Sequence, residues 1–148
     1  ERSIMKIMQL NALTYVGPQI SATDIIELKR RGVSKIIVAR PDGETDDQPA
    51  ISEITFAANA VGIVVHQIPV VPGQITDEDV CAFEAFNTHI AEPVFAYCRS
   101  GMRATSLWAL NQHKKGCSTE DILRSAGAAG YDLTAMTPRL TIKPSTAA

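Results

Sequence analysis

Apolar positions along this chain recur in two rhythms. Ile36-Ile37-Val38-Ala39 and Val94-Phe95-Ala96-Tyr97 are apolar on both faces, and Ile63 to Ile68 is a third strand-like run. Short runs of this kind fit strands covered on both sides of a sheet. Between them the spacing shifts to three and four. Ile25 and Leu28 follow Ser21, and a helical stretch runs from about Ile51 to Ala60. Val80, Phe83, Phe86 and Ile90 form a stripe after Thr76, and Ala104, Leu107, Trp108 and Asn111 share a face after Tyr97. The alternation predicts an α/β fold of three layers, a mainly parallel central sheet flanked by helices.

Local signals set the boundaries. Ser21 with Asp24 is a capping arrangement for a helix through Arg31, and Gly32 ends it. Thr76 caps a helix that continues to about Ala91. Gly116 closes the helix after the Val94–Tyr97 strand, and a final helix begins near Thr119 and fades into Ala126 to Gly130. Ile4 to Val16 holds weakly strand-like pieces, Leu13 to Val16 the better one, broken by Gly17-Pro18. With the three interior strands parallel, Arg40 to Glu44, Pro69 to Asp79 and Cys98 to Arg103 all emerge at one sheet edge. Ligands of open α/β sheets bind at that edge, beyond the carboxyl ends of the strands.

Composition narrows the picture by exclusion. The 148 residues suit one domain over 1–142, and 143–148 read as a tail or linker from which a natural protein could continue into a second domain. A net charge of −2 offers nothing to nucleic acid or to a membrane surface. The apolar runs are far shorter than the roughly 20 residues of a spanning helix. No secretory pattern opens the chain, so the cytoplasm is the expected compartment. The three cysteines, Cys81, Cys98 and Cys117, stand at no zinc spacing from one another or from His66, His89 or His113. No metal, disulfide or organic cofactor is expected.

One segment carries chemistry. Val94 to Tyr97 delivers Cys98 to the end of a strand, and Arg99, Ser100, Gly101 and Met102 turn the chain into a helix that opens with Arg103. A thiol at a helix N-terminus beside arginines is set up as a nucleophile. Amides from Arg99 to Arg103 can form a nest for an anion, and Gly101 relieves the turn. Arg103 supplies a planar, two-pronged donor for an oxyanion. A cysteine at a strand end is more often a buried structural thiol. Two arginines and a glycine in a tight turn contribute nothing to a core and reverse that preference. Cys81 and Cys117 lack such a loop, and the three histidines read as structural. Thr105 is expected to bond a preceding carbonyl rather than Cys98.

Tyr97-Cys98-Arg99-Ser100-Gly101-Met102-Arg103 resembles the active-site loop of single-domain rhodaneses. The remainder, from Tyr15-Val16-Gly17 through Arg40-Pro41-Asp42-Gly43-Glu44 to Gly130-Tyr131-Asp132-Leu133, resembles the bacterial beta-lactamase hydrolase-like family. That resemblance implies a dual-specificity-phosphatase-like scaffold. It also implies a possible fused or separate persulfide dioxygenase as partner.

Two enzyme classes compete. Four residues separate Cys98 from Arg103, one fewer than in cysteine phosphatases, and Tyr97 stands where those enzymes carry histidine. The rhodanese-like spacing favours a sulfurtransferase that moves sulfane sulfur from thiosulfate or a glutathione persulfide through a Cys98 persulfide to a thiol or cyanide. The alternative is a phosphatase acting through a phosphocysteine at Cys98. That chemistry wants a general acid, for which Asp42, Glu44, Asp77 and Asp79 are candidates by position. Each also has a structural role available, as a turn or surface residue or as a first-turn helix acid. A third expectation, from a different class, is a non-catalytic anion-binding or docking domain.

Overall fold

The two apolar runs read as interior strands lie side by side at the centre of a sheet. The computed structural model describes residues 6–87 and 91–142. Five strands, β1 (Met8–Asn11), β2 (Thr14–Gly17), β3 (Lys35–Val38), β4 (Val64–Gln67) and β5 (Val94–Tyr97), are ordered β1-β2-β5-β3-β4. Only β1 runs antiparallel, paired with β2 in a hairpin. β2, β5, β3 and β4 are parallel, in registers such as Val16↔Ala96, Ile37↔Ala96 and Ile37↔His66.

Alternate residues of the central strands feed two cores. Ile36, Val38, Phe95 and Tyr97 pack with Ile25 and Leu28 of α1 (Ile25–Arg30) and Ile51, Ile54 and Ala58 of α2 (Ile51–Asn59). Ile37, Ala39, Val94, Ala96 and Cys98 pack on the other face with α3 (Asp77–Asn87), α4 (Met102–Lys114), α5 (Thr119–Ala128) and α6 (Thr137–Thr141). Burial of each Leu or Ile in such a layer contributes about 1.5–3 kcal/mol. The predicted three layers and mainly parallel sheet are present.

Several details depart from expectation. β4 is an edge strand rather than an interior one, and Val64 is 50% exposed. Leu13 lies in the hairpin turn, its amide donating to Asn11 Oδ1, so the strand begins at Thr14. The helix after Ser21 starts as a 3₁₀ turn over Ala22–Asp24, with the Ser21 amide on Asp24 Oδ2. α6 was not anticipated. Val80 and Phe83 are buried as the stripe on α3 requires, whereas Ile90, His89 and the stretches 1–5 and 143–148 lie outside the described residues. Among the described residues no helix is long and apolar enough to cross a membrane.

Candidate active site

The parallel register brings the carboxyl ends of β2, β3, β4 and β5 to one edge, and side chains tie their loops together there. Arg40, two residues after β3, is 2% exposed. Its Nε donates to Glu44 Oε1 at 2.7 Å, Nη1 to Gln19 Oε1 at 2.7 Å and Nη2 to Thr45 Oγ1 at 3.0 Å. Gln19 belongs to the loop after β2, and its amide donates to the Arg99 carbonyl of the Cys98 loop. Gln48 accepts from the Glu44 amide and donates to the Pro41 carbonyl, which closes the loop carrying Glu44.

Arg103, on the first turn of α4, completes the junction. Its Nη1 and Nη2 donate to the two oxygens of Glu44, each at 2.9 Å, and Nη1 also reaches the Val70 carbonyl of the loop after β4 at 2.9 Å. The terminal face of the guanidinium is therefore occupied by protein, which leaves the expected two-pronged donor its lateral edge. Of its five N–H groups, the Nε–H and one Nη2–H have no acceptor among the described residues. Those two form the lateral edge, a parallel donor pair suited to two oxygens of one anion.

Cys98 is fully buried where β5 ends. Its Sγ accepts from the Gly101 amide at 3.1 Å, so one donor of the predicted nest faces the sulfur. The Met102 amide is taken instead by Ser100 Oγ at 3.3 Å, which makes the nest narrower than expected. Gly101 adopts φ +99°, a conformation that favours glycine, and a Cβ there would stand 2.1 Å from Tyr131 Oη. The Tyr131 hydroxyl donates to the Ser100 carbonyl at 3.1 Å. Burial first, and the charge of Cys98 second, push the Tyr131 phenol above its ordinary pKa. Thr105 Oγ1 donates to the Gly101 carbonyl at 2.8 Å, as its helical position predicts. Arg99 projects to the exposed side of the loop. Behind it Tyr97 is buried, and burial pushes its phenol up to about 12.

The four candidate acids separate cleanly. Glu44, hydrogen-bonded to Arg103 and Arg40, is held down at about 2 against the opposing effect of burial, so it carries no proton to donate near neutrality. Its carboxylate fixes two arginines at the sheet edge. Asp42 turns its Oδ1 to the Ile51 amide at the start of α2, 3.2 Å away. Asp79 and Thr76 cap α3 reciprocally, at 2.9 and 3.0 Å. Asp77 has a side chain 92% exposed and lies 3.7 Å from Arg139. Asp42, Asp77 and Asp79 make no hydrogen bond to residues 98–103, and Glu44 meets that segment through Arg103 alone. Sequence reasoning missed the clamp of Glu44 on Arg40 and Arg103, and the contact of Tyr131 with the loop. The Arg40–Glu44 spacing was visible, but Glu44 and Arg103 stand 59 positions apart.

A parallel strand ending in cysteine, a short loop and an arginine on the next helix define a phosphatase-like α/β domain. The chain belongs to the beta-lactamase hydrolase-like family: the model of that family's phosphatase-like domain matches residues 8–115. Beta-lactamase hydrolase-like proteins of Xylella fastidiosa (strain Temecula1) and Agrobacterium fabrum are 34% and 35% identical over 130 and 134 residues. These stretches cover 87% and 90% of this chain but 30% and 31% of the relatives, so the chain spans about a third of their length. Among solved structures, a candidate phosphatase from Neisseria meningitidis is 32% identical with a TM-score of 0.85, covering 93% of this chain and 98% of that one. Kinase-associated phosphatase shares the fold at TM-score 0.74 and 18% identity, with coverage of 95% and 94%. The dual-specificity-phosphatase-like scaffold is established.

Proposed function

We propose that this domain is a cysteine-dependent enzyme of the phosphatase-like class, in which Cys98 Sγ captures a group from an anionic donor. The observation that carries this reading is one strand end that holds the Cys98 sulfur with the Gly101 amide upon it and, five residues on, an Arg103 guanidinium fixed by Glu44. A nucleophile, an oriented amide and a planar cation at one strand end are what covalent transfer requires.

Phosphoryl transfer is the first reading, supported by the fold and by the relatives. The sulfur attacks phosphorus, the P–O bond to the leaving group breaks, and water then hydrolyses the phosphocysteine to phosphate. Because Glu44 stays ionised and Asp42, Asp77 and Asp79 are engaged elsewhere, the leaving oxygen departs without a carboxylic acid. Aryl phosphates and phosphoanhydrides meet that condition, and simple alkyl phosphates do not.

Sulfur transfer is the second reading, favoured by two specific features: the loop of four residues between Cys98 and Arg103, and the same lack of a placed acid. The thiolate attacks the sulfane sulfur of thiosulfate, the S–S bond breaks, sulfite leaves with the electron pair, and Cys98 retains a persulfide. A thiol then takes the sulfur, and a persulfide dioxygenase, fused or separate, is the partner that consumes such a product.

One experiment divides the readings. The protein and its Cys98→Ser variant are incubated with 4-nitrophenyl phosphate, and separately with thiosulfate followed by intact-mass measurement with and without reductant. Cys98-dependent nitrophenol release without an adduct supports phosphoryl transfer. A reducible one-sulfur adduct on Cys98 without phosphate release replaces it with sulfur transfer. The absence of both results overturns the enzyme reading and leaves a docking module.

A further inference from the structure

The segment Gly130-Tyr131-Asp132-Leu133, after α5, is held on both sides of its tyrosine. Gly130 takes φ +96°, its amide donates to the Gly127 carbonyl at 3.0 Å, and the Tyr131 amide donates to the Ala126 carbonyl at 2.8 Å. That pair of bonds is the Schellman termination of a helix, which favours a left-handed glycine. On the other side the Thr134 amide donates to Asp132 Oδ1 at 3.0 Å, and Leu133 is buried in the core that also holds Cys98 and Ala104.

From this fixed backbone Tyr131 reaches the Cys98 loop. Its hydroxyl donates to the Ser100 carbonyl at 3.1 Å, 31 positions away in sequence. The peptide bonds are trans, so each carbonyl and the amide that follows it point in opposite directions across one plane. The Ser100 carbonyl, turned to Tyr131, therefore sends the Gly101 N–H the other way, and that N–H meets Cys98 Sγ at 3.1 Å. The flanking carbonyls are held by other partners. Arg99 accepts from the Gln19 amide at 3.2 Å, and Gly101 accepts from the Thr105 amide at 2.9 Å and Oγ1 at 2.8 Å. Of these three peptides, the one gripped by Tyr131 is the one whose N–H lies on the sulfur.

The two hydrogen bonds reinforce each other. A donor on the carbonyl polarises the peptide and strengthens its N–H as a donor. An N–H on a charged acceptor is about twice as strong as one on a neutral acceptor, so the gain is larger for thiolate than for thiol. Tyr131 keeps its proton for this role, because burial and the charge of Cys98 both hold its phenol above the ordinary range. We infer that Tyr131 is a positioning residue for Cys98: through the Ser100–Gly101 peptide it aims and strengthens the amide that supports the sulfur as a thiolate. This role rests on Cys98 being the nucleophile of the proposed reaction, which Tyr131 prepares without touching the donor.

The test compares the wild type with Tyr131→Phe, which keeps the ring and removes the hydroxyl, and with Ser118→Ala, which removes the side chain capping the far end of α5. Cys98 is alkylated with iodoacetamide at about pH 6, where ordinary thiols are almost wholly protonated. Adducts are read by peptide mass, so that Cys81 and Cys117 do not contribute. The Gly101 amide proton resonance is followed alongside. Weakening one hydrogen bond lowers the thiolate population severalfold, but a more basic thiolate attacks faster. Tyr131→Phe is therefore expected to slow alkylation by about twofold to threefold and to move the Gly101 amide proton upfield. Ser118→Ala is expected to lower the melting temperature comparably and to leave both readouts unmoved. A Tyr131→Phe variant that alkylates as fast as wild type, or whose Gly101 resonance is unmoved, overturns the inference. So does a Ser118→Ala variant that slows alkylation equally, or a wild-type Cys98 that resists alkylation altogether. Neither readout uses a substrate, so these failures are distinct from failure of the proposed reaction, which shows as neither nitrophenol release nor a sulfur adduct.

Discussion

Replacing Glu44 by glutamine tests whether one carboxylate organises the active-site edge. In the native protein it faces Arg40 and Arg103, both largely buried. Glutamine keeps the volume and one acceptor but leaves two guanidinium groups close together without a counter-charge. Removing one partner from a buried ionic cluster costs about 3–5 kcal/mol. The depressed Glu44 pKa, about 2 against 4.5 for the unperturbed group, gives a second measure of the same interaction. At 1.36 kcal/mol per unit, and reduced for a side chain still partly exposed to water, it amounts to about 2–3 kcal/mol. Urea denaturation at pH 7 should therefore show Glu44→Gln less stable by about 2–4 kcal/mol. The pH dependence has a definite sign. A lowered folded-state pKa contributes stability that is complete above the unfolded value and lost as pH falls towards 2. The gap between wild type and variant should accordingly narrow from pH 5 downwards. A gap below about 1 kcal/mol at pH 7, the ordinary worth of a surface pair, or one that does not change with acid, refutes the clamp.

Further outcomes follow from the site. Asp77→Ala should leave turnover within about twofold of wild type, since its exposed carboxylate lies outside the loop network, while Asp79→Ala should cost about 1 kcal/mol of stability through the lost cap; a loss of two orders of magnitude in kcat for either would restore it as general acid. Gly101→Ala should destabilise the fold by more than the roughly 1–2 kcal/mol of a left-handed residue, because its Cβ meets Tyr131, whereas Tyr131→Phe should cost only about 1 kcal/mol for one hydrogen bond, both read by thermal melts. Arg103→Lys keeps the charge and abolishes the lateral donor pair, so Cys98-dependent turnover should fall at least about tenfold with the fold retained by circular dichroism; unchanged turnover would remove Arg103 from substrate contact.

Features set by near neighbours were legible in the sequence. The Cys98–Arg103 loop, the Thr105 bond to Gly101, the Thr76–Asp79 cap and the burial of Ala104, Leu107, Trp108 and Asn111 depend on spacings of a few residues. What escaped depends on the number and identity of distant neighbours. Ile63 to Ile68 is apolar enough for an interior strand, yet β4 has a strand on one side only, which local hydropathy does not encode. Asp42 caps a helix whose first residue lies nine positions further on. Glu44 resembled any turn acid until folding set it against Arg103. The five residues of α6, with Pro138 in the first turn, are too few for a helical period to register.

The Glu44 clamp also bears on how a ligand would be met. A free arginine side chain samples many rotamers, and a ligand that selects one must offset that lost freedom, about 2 kcal/mol for arginine. Here Glu44 and the Val70 carbonyl hold the guanidinium before any ligand arrives. The entropy of ordering Arg103 belongs to folding, not to recognition. An anion too small or too weakly charged to recruit a mobile arginine thus finds the donor edge already in place.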